Sequence, residues 1–330
     1  MRCYFCLQER PGSEEHVFPL AIGGTIVTDR VCKPCNDQLG SQVDSCLTDH
    51  LLCKVKRAGL GLAGNARRTP NPLVEMLAKA VLAEDPTKRM EVRDNGRGGI
   101  TVKHAYHEAV QTDDQGNTFK MVTIDASRPN DVLKILDRHR KRSNIPLLTD
   151  AEKTDILARL PDAIKTIEQP GLIGQFTVDL QEFQRGIVKI AYELACMWLD
   201  DTYLDSATAA EIRNLIFAPA EDIVKHDLTN IQIGVLRPLQ AWGETSLDHV
   251  AYGFVEKGVT IIAVRVFDVF SAAMAVAMPG DGTVPKPWRG SFLSINPATG
   301  STCQSNWPEA IETRTRRHRP LVPQRKRKGR

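Results

Sequence analysis

The chain is 330 residues long with 42% hydrophobic and 25% charged residues, the balance of an ordinary soluble protein with room for two or three cores. Its net charge of +3 hides an asymmetry: residues 314 to 330 hold nine Lys or Arg and no acid, and the remainder carries 34 basic against 40 acidic residues. The first residues have no apolar core of signal-peptide length, and the longest apolar run, Val259 to Met278, is interrupted by Arg265 and Asp268, so a soluble cytoplasmic protein with no membrane partner is expected.

Two Cys-x2-Cys pairs bracket the first stretch, Cys3 with Cys6 and Cys32 with Cys35. In a compartment that keeps thiols reduced, this spacing points to a tetrahedral zinc site, since thiolates hold Zn²⁺ well. Between the pairs lie Glu15-His16-Val17-Phe18-Pro19 and Gly23-Gly24, the latter reading as a turn into a short strand at Thr25-Ile26-Val27. From Asn36 the apolar residues Leu39, Val43, Leu47 and Leu51 recur every four positions, a helical stripe. The expected order is knuckle, strand, glycine turn, strand, knuckle, helix. Gly40 shares a helical face with Asn36 and costs the helix about 1 kcal/mol; a bulky substrate approaching Asn36 gives that glycine a reason. His50 reads as a surface histidine, and Cys46, Cys53, Cys196 and Cys303 as buried thiols.

Residues 59 to 72 are rich in Gly and Pro and read as a linker after a module of residues 1 to 58. Gly59-Leu-Gly61-Leu-Ala-Gly64 follows a helix rather than a strand, which argues against a dinucleotide site. A larger α+β domain is expected over residues 73 to 313. It begins with a helix from Leu73 to Glu84, a strand pair hinged on Asn95-Gly96 and a strand from Phe119 to Ile124. A helix from Asn130 to Ser143 ends in Arg138-His-Arg-Lys-Arg142, a solvated helix terminus or a phosphate contact. Three helix starts follow at Thr149 with Glu152, Asp179 with Glu182 and Thr208 with Glu211. The middle helix carries Phe183, Ile187, Ile190, Ala191, Leu194 and Trp198 at core spacing. Strands at Val250 to Val255, Val259 to Phe267, Phe270 to Val276 and Phe292 to Ile295 read as an antiparallel meander. His104 and His107 sit where a strand would point them to opposite faces, which argues against a shared metal.

Read together, Cys3, Cys6, Glu15, His16, Pro19, Gly23, Gly24, Cys32, Cys35, Asn36, Gly40 and Asp44 resemble the zinc-containing HNH endonucleases of the ββα-metal class over about the first fifty residues. The resemblance implies His16 as general base and Glu15 with Asn36 holding one Mg²⁺- or Mn²⁺-like cation, while the four cysteines carry a structural zinc. Phosphodiester hydrolysis needs a water deprotonated near neutral pH and a leaving oxygen whose charge is neutralised, and these residue types supply both. One position departs from the pattern: no Asn lies between His16 and Asn36 to orient the histidine, a task left to Thr28, Asp29 or a backbone carbonyl.

The basic tail of Arg314, Arg316, Arg317, Arg319, Arg325, Lys326, Arg327, Lys328 and Arg330, interrupted by Pro320 and Pro323, reads as an extended disordered phosphate-binding arm. The expected function is a metal-dependent endonuclease of prokaryotic or phage origin, acting on double-stranded DNA. Its large domain would select the target, bind a ligand or bind a protein partner. The alternative is a zinc-stabilised nucleic-acid-binding or regulatory protein without catalysis. Oligomeric state and DNA against RNA preference are not legible in the sequence.

Overall fold

In the computed structural model, which describes residues 1–105, 107–123, 129–163, 170–240, 242–281 and 288–317, strands β1 (Gly12–His16) and β2 (Val27–Cys32) pair antiparallel, Glu15 opposite Thr28 and His16 opposite Val27. A single 3-10 turn, Leu20–Ile22, joins them and ends on Gly23 at φ +85°. A side chain at Gly24 would place its Cβ 1.7 Å from the carbonyl oxygen of Phe18, so the glycine pair is a steric requirement of this hairpin. Helix α1 (Lys33–Leu39) leaves the second knuckle with Pro34 in its first turn, where the missing N–H costs nothing. The helix then widens into a π turn, Gly40–Asp44, and resumes as α2 (Ser45–Thr48) and α3 (Leu51–Leu60). The expected stripe of Leu39, Val43, Leu47 and Leu51 is buried throughout. His50 is buried too: its Nδ1 accepts from Leu52 N at the start of α3 and its other ring nitrogen meets Asp179 O at 2.6 Å, so it is a helix cap and not a surface histidine.

Residues Asn71–Thr177 form one compact unit, separate from a second made of Met1–Pro70 with the chain from Val178 onward. In the former, α4 (Pro72–Met76) is shorter than the expected helix, because the chain turns at Leu77 to supply β3 (Val81–Leu82). Strands β4 (Asp85–Asp94) and β5 (Ile100–His104) pair about the Asn95-Gly96 turn, Val92 opposite Val102. They are followed by β6 (His107–Thr112) and β7 (Thr118–Thr123), with Ile124 of the expected strand outside the described residues. Helices α5 (Pro129–Arg142) and α6 (Asp150–Ala163) come next, then β8 (Leu172–Ile173). Thr149 and Glu152 make the reciprocal capping box: Glu152 N donates to Thr149 Oγ1 at 3.2 Å and Thr149 N to Glu152 Oε2 at 2.6 Å. Arg140 of the basic cluster is paired with Glu152 at 2.9 Å.

The other unit is organised on α7 (Gln184–Trp198), buried over nearly its whole circumference, the mark of a helix inside a core. It packs on α2 and on β11 (Val259–Val266) and β12 (Phe270–Ala277). Those strands belong to a six-stranded antiparallel sheet ordered β14-β13-β10-β11-β12-β9, with β9 Thr229–Ile233, β10 His249–Glu256, β13 Ser291–Ile295 and β14 Thr302–Asn306. Alternation sends Ile262, Val264 and Val266 to the α7 side and Ala263 to a second cluster with Val250, Tyr252 and Phe292. The apolar run from Val259, broken by Arg265 and Asp268, is thus a pair of strands covered on both faces, and no described helix is long and apolar enough to cross a membrane. Helix α8 (Ala207–Ile216) is capped by Ser206, whose Oγ accepts from Ala209 N; the expected cap, Thr208, is buried and bonds Asp281. Cys53 and Cys196 are buried, Cys46 is half-buried and Cys303 is exposed. The architecture is α+β with antiparallel sheets, as expected.

The domain division differs from the expected one. Phe18, Ile22, Leu39, Val43 and Leu47 share one apolar cluster with Phe183, Ile187, Ile190, Leu194, Val264, Phe270 and Met274. The first fifty residues are therefore one wall of a core completed by residues more than 120 positions away in the chain. Gly186 marks the closest approach: a Cβ there would sit 2.6 Å from Leu47 Cβ. Replacing Gly186 with Ala gains helix propensity yet forces α2 and α7 apart, with an expected net loss of about 1–3 kcal/mol. Urea unfolding monitored by fluorescence measures it, and an unchanged or raised midpoint would show that the helices are free to separate.

Candidate functional site

The first knuckle is a tight turn in which Cys3 N donates to Gln8 O and Leu7 N to Cys3 O, both at 3.0 Å. The second lies at the junction of β2 and α1, with Cys32 as N-cap and Cys35 in the first helical turn. All four Sγ atoms lie within 4.8 Å of one another. Cys6 Sγ and Cys32 Sγ are 3.7 Å apart, far beyond the ~2.05 Å of a disulfide and close to the ~3.8 Å edge of a tetrahedron with metal–sulfur bonds of ~2.3 Å. The donor set therefore fits a four-thiolate metal site of the structural zinc kind. Burial opposes ionisation of Cys32, but the N–H of Cys35 and the thiols of Cys35, Cys3 and Cys6 outweigh it and bring its pKa down to about 7, while burial pushes Cys6 and Cys35 up.

Asn36, directly after the second knuckle, ties α1 to β1. Its Nδ2 donates to Ser13 Oγ at 3.1 Å and to Glu14 O at 2.7 Å. A main-chain carbonyl only accepts, so Nδ2 is the atom at Glu14 O; among the described residues Oδ1 takes no hydrogen bond. Glu15 and His16 alternate across β1 as neighbours on a strand do. Glu15 is 3% exposed and turned inward, whereas His16 is half-exposed, and no described residue hydrogen-bonds its imidazole. Neither side-chain candidate for the missing orienting Asn has a described hydrogen bond to it: Thr28 Oγ1 accepts from Arg30 N at 3.1 Å, and none is described from Asp29 to the ring. The Asp44 carboxyl, carried to the core side by the π turn, is raised by burial, with Lys189 and, least of all, His16 opposing.

Beneath β1 lies a buried charge cluster. Lys189 of α7, 0% exposed, bonds Glu15 Oε1 and donates to His16 O at 2.7 Å. Asp44 Oδ1 stands 3.4 Å and Glu193 Oε2 3.3 Å from the same ammonium. Burial raises all three carboxyl groups above their usual range, opposed in each by Lys189. Burial alone would lower Lys189, yet Asp44, Glu193 and Glu15 together raise it, so it is charged. One cation faces three acids, and neither oxygen of Glu193 has a hydrogen-bond partner. Such an uncompensated buried set holds a proton or a further cation.

Lys189 and Glu193 were not anticipated. The legible signal was a Lys and a Glu four apart inside Ile187-Val-Lys-Ile-Ala-Tyr-Glu-Leu194, charges embedded in a helix otherwise apolar on every side. A cavity of about 800 Å³ lies elsewhere in this unit, between Trp242, Asp248, Phe292, Asn296 and Glu309, and His16 does not line it. Arg314, Arg316 and Arg317 fall within α9 (Trp307–Arg317) and so are helical, not part of an extended arm. Asn306 Oδ1 accepts from Glu309 N to start that helix, Pro308 stands in its first turn, where a missing N–H is tolerated, and no further proline follows before Pro320. Arg319, Arg325, Lys326, Arg327, Lys328 and Arg330 lie outside the described residues.

Residues 3–52 match the family of HNH endonucleases. The match takes in the four cysteines, Glu15, His16, Asn36 and Asp44, stops well short of Lys189 and Glu193, and points to nuclease chemistry on a nucleic acid. No curated protein and no solved structure matches the chain.

Metal bound by four thiolates in a site of this size contributes about 10–16 kcal/mol in isolated zinc-binding peptides, comparable to the whole stability of a domain at about 5–15 kcal/mol. Elemental analysis should find one zinc per chain, lost in Cys32→Ser. A strong chelator should lower the thermal midpoint of the wild type but not of that variant; a midpoint indifferent to chelation would remove the cluster from the stability of the fold.

Proposed function

We propose that this protein is a metal-dependent HNH-type endonuclease that hydrolyses phosphodiester bonds in double-stranded DNA. The observation that carries the reading is the bridge from Asn36 Nδ2 to Ser13 and Glu14, which makes the strand bearing Glu15 and His16 and the helix bearing Asn36 a single unit within the family-matched segment.

In this reading His16, half-exposed and with its ring unbonded, takes the proton of the attacking water. Asn36 Oδ1 and the second oxygen of Glu15 are the hard donors that would hold a magnesium or manganese ion. That cation, when bound, supplies Lewis-acid stabilisation of the leaving oxygen. The four cysteines hold zinc and thereby keep the strand and helix together. Gly40, at the start of the π turn, has nothing within 4 Å of an added Cβ, so the fold does not require a glycine there; open space beside Asn36 suits the approach of a polymer backbone. The basic residues from Arg314 to Arg330 serve as a sequence-independent phosphate contact.

A second reading, a nucleic-acid-binding module without catalysis, draws on one observation: one oxygen of Glu15 is already taken by Lys189. The two diverge on His16→Ala. As a nuclease, the protein should nick supercoiled plasmid in Mn²⁺ or Mg²⁺, and the variant should be slower by about 10²–10⁴-fold with zinc content and DNA retention intact. Undiminished cleavage by His16→Ala would sink the assignment. A wild type that retains DNA without cutting it would favour the binding module. Gly40→Leu, read in the same assay, should fold normally and raise the KM for DNA; an unchanged KM would place the DNA path elsewhere.

A further inference from the structure

Helix α7 lies outside residues 3–52, yet it delivers the ammonium that touches two consecutive residues of β1. Lys189 Nζ bonds the side chain of Glu15 and the main-chain oxygen of His16, the latter at 2.7 Å. One contact fixes the carboxylate and the other fixes the strand end from which the imidazole projects. Had Lys189 served only to neutralise Glu193, the i,i+4 partner on its own helix, no reach to the strand would be needed. Nor is Lys189 free to withdraw. It is 0% exposed, the helix is pinned three residues earlier by Gly186 against Leu47 and three residues later by Tyr192, whose hydroxyl donates to Tyr4 O at 2.6 Å.

From this geometry we infer that Lys189, steadied by Glu193, is a positioning residue of the site. It occupies Oε1 of Glu15, leaves Oε2 as the one oxygen Glu15 offers a divalent cation, and holds the main chain at His16. The inference rests on the nuclease reading for its kinetic part and on the bond geometry alone for its metal part.

Lys189→Met by itself strands three buried carboxylates and is expected not to fold. The informative variant is the full chain with Lys189→Met and Glu193→Leu together, which removes the ammonium with its most enclosed acid and leaves only Glu15 and Asp44, which can take protons or a metal ion in its place. Three measurements are made: zinc content and urea midpoint, Mn²⁺ affinity from the spectroscopic signal of free Mn²⁺, and the kcat and KM of plasmid cleavage. Glu15 relieved of its neighbouring ammonium should bind Mn²⁺ tighter by about tenfold or more, the size of a single-charge effect at this range. Turnover should fall by about 10²-fold, the cost of a misplacement near 1 Å, with KM unchanged. A purely structural role moves neither quantity in a folded variant. Unchanged or weaker Mn²⁺ binding overturns the inference, as does undiminished kcat. If the wild type cleaves nothing, the nuclease reading fails separately and the Mn²⁺ comparison alone decides the role of Lys189.

Discussion

An ammonium group wholly removed from water has to be met by charge, and around Lys189 that requirement draws together parts of the chain that have no local reason to meet. Glu15 comes from a hairpin, Asp44 from a π turn and Glu193 from the same helix one turn on. A lone buried charge costs several kcal/mol or more even after relaxation, a large share of the margin by which a domain stays folded. The strand carrying Glu15-His16 is therefore held to α7 by an interaction that neither element can release alone. The site is specified by electrostatics at its base and by metal–thiolate geometry at its side.

The apolar packing agrees with this. Phe18 stacks on His249 at 5.3 Å, and His249, 0% exposed, reaches Ile22 O at 2.8 Å. Burial lowers the pKa of that histidine to about 4, with its hydrogen bond to Ile22 opposing, so it is neutral and acts as a fixed link between the hairpin and the six-stranded sheet. Arg30 lies over Tyr4 and pairs with Asp201 at 3.0 Å, while Arg2 pairs with Asp205. Those ion pairs are half-exposed and individually weak; their value is directional, since each ties the first knuckle to the turn after α7. The four-cysteine module is thus fastened at its base, its hairpin tip and its knuckle. Its Phe18, Ile22 and Leu39 would face water without the rest of the unit.

How much of this could be read from residues alone follows from the range over which each feature is determined. The cysteine knuckles, the glycine turn, the helical stripe from Leu39 to Leu51, the capping box at Thr149 and the Asn95-Gly96 turn are local: neighbours within a few positions decide them. The alternating strands after Val250 were likewise legible, although burial on both faces of β11 hid their period. Other features depended on distant partners. The helix expected over Leu73 to Glu84 stops at Met76 because Val81–Leu82 finds a place between two strands, which no propensity records. His50 looked like a surface residue until Asp179, Phe183 and Phe270 arrived around it. The division at residues 59 to 72 was read from Gly and Pro content, which marks where a chain bends but not where its ends pack.

The Glu15 pairing shows where motif and fold make different demands. A carboxylate beside a histidine, read as part of a motif, is a hard ligand with two oxygens to give. Set in this core, one of those oxygens belongs to Lys189, and the other must compete with the compensation of Asp44 and Glu193. Counted as charges, the cluster is short by two positive units when every acid is ionised. The deficit can be met by protons or by a divalent cation, and each alternative leaves a different hydrogen-bonding pattern at β1. Glu193, wholly enclosed with both oxygens unbonded, is the member least able to stay ionised and so the natural holder of a proton. Glu15 and Asp44 are then the pair whose charge the ammonium of Lys189 meets directly. The long-range contact from α7 thus orders the acids, separating Glu193 of its own helix from the two that the hairpin and the π turn bring to it.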